Sequence, residues 1–426
     1  MNIDLNAGQG IQITGPAKVR VIDGKLSLLG SIVPPDQEII IREGKHFPFE
    51  AEMNSKIELD AINAQYMISN DPLIPLDRKE LAKKISEFQS PVKVMVLGNV
   101  DTGKTTVICY LANYFFSLGK RVAVIDLDIG QQDIGPPCTI TLGLLDKPIL
   151  KLSEIPLERM IFIGKTSPSG RMLPFVSGAR ELVDYAQNTA DVVLIDTTGW
   201  VFGSAARSLK TAKIQALKPQ ILVALQKEHE LDHLLKPFEL STIQIESLSV
   251  FPQIKARDHS TRTFLRECGF NNYFKSASAR MFNLKNLRMQ DTLFGTGQPL
   301  NDEALTLVEQ ILECKLVYGE KAADALFIVK IPQSIYNKNN LEKVRICFGV
   351  QEIRIVNKNE EKGLLVGLLN SEFKTLGLGI IENIHYRENE IRIFTPVVSE
   401  EVQIVQCGSL KITKTGQEIT SQDFLF

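Results

Sequence analysis

Gly98, Asn99, Val100, Asp101, Thr102, Gly103, Lys104 and Thr105, with Thr106 behind them, follow the pattern GxxxxGK[ST]. Each residue type suits the task of holding a nucleoside triphosphate. The glycines let backbone N–H groups turn inward around phosphates, the Lys104 ammonium reaches the outer phosphates, and the Thr105 hydroxyl is the kind that ligates Mg²⁺. A helix opening near Lys104 would add the positive end of its dipole. The same letters can arise in a fortuitous glycine turn, but here they follow an apolar run, Val92 to Leu97, and open a helix-like run, Thr105 to Ser117, which is the setting the motif needs.

Further acids lie downstream. The apolar run from Val122 ends in Asp126 and Asp128, and carboxylates at the carboxyl end of a strand face the crevice where α/β sheets bind ligands. Their spacing of two points them the same way, one toward a metal and the other toward a proton to be accepted. The alternative is a solvated strand end with a turn-forming Asp. A third run, from Asp191, supplies Asp196 as a water-mediated Mg²⁺ ligand and then a Gly-Trp turn at Gly199 and Trp200. Trp200 is the only tryptophan. Its ring is either a core side chain or a platform for a nucleobase, a contact worth roughly 1–3 kcal/mol.

Three weaker constellations remain. Lys165 leads into Thr166, Ser167, Pro168, Ser169, Gly170 and Arg171, whose amides and hydroxyls could grip a phosphate backbone, although a plain surface turn accounts for them equally well. Arg262 and Arg266 sit one helical turn apart, so two guanidinium groups could neutralise a transferring phosphoryl group; a solvated helix face is the bland reading. His259 beside them reads as exposed. His229 and His233 have metal-pair spacing on a helix, but no third ligand accompanies them and the flanking charges indicate a surface helix.

The elements that must position these groups change character along the chain. Residues 1–80 read as short strands, with a hairpin expected at Asp23 and Gly24 between Lys18–Ile22 and Lys25–Leu29, and a further strand over Glu38–Arg42. Pro72 to Pro75 and the charged stretch Asp77–Lys84 mark a linker or short helix. Within 81–295, continuous apolar runs at Val122–Leu127, Val192–Ile195 and Ile221–Leu225 alternate with helical stretches such as Pro174–Gln187 and Ser204–Leu217, the pattern of a parallel sheet covered on both faces. Residues 296–426 read as mainly β, with strands expected at Ala325–Ile331, Val344–Cys347, Gly363–Leu369, Ile391–Phe394 and Val402–Gln406, and a helix over Asp302–Glu313.

Composition narrows the class. The 426 residues are 44% hydrophobic and 23% charged, with 48 Lys plus Arg against 50 Asp plus Glu, so a globular protein is expected without a global positive field. The six cysteines form no CxxC pair and read as reduced, mostly buried thiols. No signal peptide or membrane-spanning run is legible, and a cytoplasmic protein is expected.

Taken together, the phosphate loop, the Asp126 to Gln131 element (DLDIGQ) followed by Asp133 to Pro137, the Thr166 to Gly170 turn, the Asp196 to Trp200 turn (DTTGW) and the arginine helix resemble the polynucleotide 5′-hydroxyl kinase family, which includes RNA kinases of pre-mRNA cleavage and pre-rRNA processing and their archaeal relatives. The DxDxGQ element in order with the TGW turn is the specific part. The resemblance spans nearly the whole chain and implies a P-loop α/β kinase domain (81–295) between an N-terminal β-sandwich-like domain (1–80) and a C-terminal mainly-β domain (296–426). It implies ATP and Mg²⁺ as cofactors, Asp128 as general base, Lys104 and residues 98–106 on the nucleotide, and Thr105, Asp126 and Asp196 around the metal. Substrate contacts would fall at Gln131, at a clasp from Thr166 to Arg171 and at Trp200, with Arg262 and Arg266 as lid arginines. Arg171 stands where many relatives have a polar amide, and an Arg there could bind phosphate directly.

The expected activity is transfer of the γ-phosphate of ATP to the 5′-hydroxyl of RNA, with DNA as a second acceptor. Two other classes compete with it, an ATP-bound scaffold without turnover and a P-loop NTPase of another kind. The full set of Lys104, Thr105, Asp128 and both arginines disfavours the first, and the lack of an NKxD-type element disfavours a GTPase.

Overall fold

Strands that carry long apolar runs must be covered on both faces, and the central sheet is built around four of them. The computed structural model describes residues 1–41, 46–60, 65–250, 259–398 and 400–421, with His259 and Ser421 by backbone alone. The sheet runs in the order Leu157–Phe162, Thr139–Leu144, Val122–Leu127, Val192–Thr197, Val92–Gly98, Ile221–Gln226, Gln244–Ser249. The last five are mutually parallel. Thr139–Leu144 and Leu157–Phe162 join antiparallel at one edge, so the expected parallel sheet is mixed. An antiparallel meander needs no helical crossover, which explains why only the short 3₁₀ turn Leu152–Glu154, and no α-helix, lies between these two strands.

Helices cover both faces. Met172–Thr189 buries Phe175, Gly178, Ala179, Leu182, Val183 and Ala186, a stripe at spacings of one, three and four, and shares one core with Ser204–Leu217. On the other face Lys104–Ser117 and Leu76–Ser86 pack against Val94, Val96, Val124 and Leu194. The charged stretch after Pro75 is thus a helix, tied down by an ion pair from Lys79 to Glu50 (2.6 Å) and a hydrogen bond from Arg78 to Ser249 Oγ (2.9 Å). No helix among the described residues is long and apolar enough to cross a membrane.

The N-terminal region forms two antiparallel sheets, and the Asp23-Gly24 turn works differently from the expected hairpin. Ala17–Asp23 pairs with Ser55–Asp60 and Glu38–Ile41 in one sheet, whereas Leu26–Leu28 pairs with Ser31–Val33 and His46–Ala51 in the other. The turn is therefore a corner between sheets. Gly24 has φ +91°, and a Cβ there would lie 2.4 Å from Asn54 O, so the neighbouring chain fills the space a hairpin turn would leave open.

The C-terminal region holds two further sheets. In the larger one, Ser278–Asn283 and Arg288–Gln290 pair with Glu390–Thr395 and Ile404–Ile412, so residues N-terminal to the expected boundary at 295 already belong to this sheet. The smaller one contains the parallel strands Ala325–Lys330 and Glu352–Asn357. The expected strand at Val344–Cys347 is instead part of the helix Leu341–Phe348, closed by Gly349 at φ +64°. Two parallel strands require a crossover, and this helix is that crossover. All six cysteines are free, and Cys109, Cys138, Cys314 and Cys407 are buried.

Candidate active site

The phosphate loop bends out of the strand Val92–Gly98 and into the helix Lys104–Ser117. Two glycines make the bend possible. A Cβ at Gly98 would fall 2.5 Å from Thr102 Oγ1, and Gly103 takes φ +92° at the helix N-cap. Lys104 Nζ donates to Asn99 O (2.8 Å), as does Thr102 Oγ1 (2.9 Å), so the loop closes on itself around its own carbonyl. Val100 and Thr106 are exposed.

Across the crevice stand the acids. Asp126 and Asp196 are register partners on adjacent parallel strands, and both are almost fully buried. Burial raises both carboxyls above the usual carboxylate range, most strongly at Asp126, where the charges of Asp196 and Asp133 add to it; at Asp196 the Lys104 ammonium pulls the other way and the Asp128 charge adds to the rise. Their duties differ. Asp196 Oδ2 accepts from Thr105 Oγ1 (2.9 Å), linking the phosphate-loop hydroxyl to the acid. Asp126 has both oxygens engaged by backbone N–H groups, Oδ1 by Asp128 (2.9 Å) and Oδ2 by Asp133 (2.8 Å), so it holds the following loop in place. Thr105 and Asp196 therefore remain the hard-oxygen pair best suited to Mg²⁺. Asp128 is half-buried, with Oδ1 accepting from Gly130 N (3.2 Å).

The turn at Gly130 abuts the second backbone-rich loop, since a Cβ on Gly130 would lie 3.0 Å from Thr166 O. Thr166, Ser167, Ser169 and Gly170 keep polar groups at or near the surface, with Pro168 buried beneath. Arg171 does not join them. It is buried, paired with Asp291 (2.6 Å) and donating to Cys407 O (3.2 Å), so the guanidinium expected at substrate phosphate is committed to the C-terminal sheet.

The helix His259–Phe274 brings its two arginines to different partners. Arg262 pairs with Asp101 of the phosphate loop (2.9 Å), and its carbonyl accepts from Gln131 Nε2 (3.1 Å). Arg266 pairs with Glu418 (2.6 Å) on the C-terminal strand Glu418–Ser421, whose Glu418 N also donates to Glu267 (3.1 Å). Only Arg262 of the pair is thus in the crevice. Arg257, Asp258 and the side chain of His259 lie outside the described residues. His233 is held by Val201 O (2.8 Å) and His229 lies beside Asp232 (3.3 Å); among the described residues no group of three or more metal-ligating side chains occurs.

Comparison with known proteins decides the family. Residues 98–276 match the model of the mRNA cleavage and polyadenylation factor CLP1 P-loop. The polyribonucleotide 5′-hydroxyl-kinase of Pyrococcus furiosus is 35% identical over 81% of this chain and 95% of its own length, and that of Methanocaldococcus jannaschii is 32% identical over 81% and 94%. The chain belongs to the CLP1-type polyribonucleotide 5′-hydroxyl-kinase family. The fold is shared across its full length with a chain of the Clp1p–Pcf11p complex, at TM-score 0.63, 14% identity and coverage of 96% and 97%. A P-loop kinase of this family binds ATP.

Within the CLP1-type fold, two residues with no signal in the sequence stand beside the site. Lys210 and Lys213 of the helix Ser204–Leu217 are fully buried behind Asp196. Lys210 Nζ donates to Thr197 Oγ1 (3.0 Å), Thr198 O (2.5 Å) and Thr198 Oγ1 (3.3 Å). Lys213 Nζ makes no hydrogen bond and lies 4.7 Å from the Phe175 ring centroid; burial pushes its ammonium down to about 7, against the pull of Asp128 and Asp196. Phe202, 51% exposed, stacks on His233 at 5.8 Å. Trp200 itself is half-buried and rests on the central core, leaving part of its surface open.

Proposed function

We propose that the chain is an ATP-dependent polyribonucleotide 5′-hydroxyl kinase, with the 5′-hydroxyl end of RNA as its acceptor. The observation that carries this reading is the run of contacts that joins the loop 98–105 to the turn 166–170: Arg262 pairs with Asp101 and accepts from Gln131, and the neighbouring Gly130, which donates to Asp128, abuts Thr166. A plain NTPase needs only the loop.

In this mechanism the acceptor 5′-oxygen attacks the γ-phosphorus, its proton passes to Asp128, and the bond from the γ-phosphorus to the bridging β-oxygen breaks to release ADP. Lys104 and the loop N–H groups hold the phosphates in line, where positioning supplies most of the rate. Thr105 and Asp196 would hold Mg²⁺, which when bound supplies positive charge to the β- and γ-oxygens. Arg262, paired with Asp101 of the same loop, would bring a second positive charge to those oxygens. Asp126 and Gln131 act one step back, the first shaping the loop of Asp128 and the second seating the helix of Arg262.

Incubation with γ-labelled ATP, Mg²⁺ and matched 5′-hydroxyl RNA and DNA oligonucleotides tests the assignment. Label on the RNA end is expected; free labelled phosphate without oligonucleotide labelling would indicate an NTPase, and neither product would indicate a scaffold. Trp200→Ala is expected to weaken oligonucleotide binding by roughly 1–3 kcal/mol, one lost base stack, with nucleotide affinity nearly intact. Because Trp200 is the only tryptophan, its fluorescence on titration with oligonucleotide reads the contact directly, and absence of quenching would assign the ring to the core alone.

A further inference from the structure

Lysine is among the residues least often buried, because an ammonium taken from water must recover its lost hydration from polar partners. Lys210 does so completely within a single turn of chain. Its three acceptors belong to Thr197 and Thr198, the two residues between the site carboxylate Asp196 and the Gly199-Trp200 turn. Thr197 Oγ1 donates onward to Val96 O on the phosphate-loop strand (2.8 Å), and a Cβ on Gly199 would meet Val100 Cα at 2.7 Å. The segment 197–199 is thereby wedged between Lys210 and the phosphate loop, with Trp200 at its free end.

We propose that Lys210 is a positioning residue for the acceptor strand: its buried Nζ, through its hydrogen bonds, fixes the Thr197–Gly199 turn and so sets the pose in which Trp200 meets the nucleobase. Lys213 provides an internal comparison. It lies on the same helix and is equally buried, but its Nζ touches none of these oxygens. A generic need for cations in this core would make the two lysines equivalent, and the hydrogen-bond pattern makes them different.

The proposal rests on the kinase reading for its kinetic arm and is independent of it for its spectroscopic arm. Lys210→Met, Lys210→Gln and Lys213→Met are compared with the parent protein by thermal melting, by acrylamide quenching of Trp200 and by steady-state kinetics with ATP and a 5′-hydroxyl RNA oligonucleotide. In Lys210→Met, quenching is expected to rise about twofold or more as the turn loosens. The KM for oligonucleotide should rise about tenfold, within the range of a lost base stack, while the KM for ATP shifts less than about twofold. Lys210→Gln, which keeps an N–H donor, should fall between, and Lys213→Met should leave quenching and oligonucleotide KM at parent values.

Parent-like quenching and oligonucleotide KM in Lys210→Met would overturn the proposal. So would identical changes in Lys213→Met, or loss of folding in both Lys210 variants, since Lys210 would then serve the core alone. If the parent protein labels no oligonucleotide, the kinase reading fails, and the quenching difference between the Lys210 and Lys213 variants still decides whether Lys210 holds the turn.

Discussion

Asp128→Asn is expected to abolish phosphate transfer, lowering turnover by ~10²–10⁴-fold, the contribution of a general base, while leaving ATP affinity close to that of the parent. The substitution is a clean one because an asparagine carbonyl can still accept from Gly130 N, as Asp128 Oδ1 does at 3.2 Å, so the loop keeps its shape and loses only basicity. Lys104→Ala should cost a comparable factor, on the order of 10²–10³ in turnover, but through the nucleotide, with weaker ATP binding as its signature. Nucleotide affinity measured beside turnover separates the two. Near-normal turnover in Asp128→Asn would move the base elsewhere.

Arg262→Ala should lower turnover by ~10³-fold or more, as expected for a guanidinium that stabilises charge chiefly in the transition state, with little change in ground-state ATP affinity. Arg262→Lys should rescue only in part, since an ammonium lacks the planar fork. Arg266→Ala is expected to act differently. Its guanidinium is paired with Glu418, so its loss should be reproduced by Glu418→Gln, and both should act by misplacing Arg262. Hydrogen exchange over residues 259–274, free and with an ATP analogue plus oligonucleotide, reads the order of this helix separately. Unchanged exchange together with parent rates in both arginine variants would make the pair a mere helix face.

Much of this site was legible because its chemistry is local. A phosphate loop, a strand-end acid pair and a Gly-Trp turn each occupy a few consecutive residues, and the apolar runs that carry them are strands for the plain reason that nothing polar interrupts them. The strand Val122–Leu127 and the helix Ser204–Leu217 occupy the residues that the apolar run and the helical pattern mark out. What stayed hidden depends on distant partners. The Asp23-Gly24 sequence specifies a turn but not which sheet receives the chain afterwards. Leu157–Phe162, mixed in polarity, gave no strand signal because it lies at a sheet edge where one side need not be apolar. Lysines at 210 and 213 look like the solvated face of any amphipathic helix, and only Thr197, Thr198 and Phe175 turn that face inward. Arg171 had the same difficulty, its partner Asp291 being far along the chain.

The helix His259–Phe274 is fastened at one point and engaged at another, and this would set the scale of any travel. With Arg266 and Glu267 both held to Glu418, the strand of the C-terminal sheet acts as a fulcrum, and the arm from it to Arg262 is one helical turn, about 6 Å at 1.5 Å per residue. A swing of roughly 30° about that fulcrum would carry the Arg262 backbone by only about 3 Å, enough to release Asp101 and reach an incoming phosphate with the long side chain, but too little to throw the crevice wide open. The C-terminal strand Glu418–Ser421 is then the anchor against which the position of Arg262 is set.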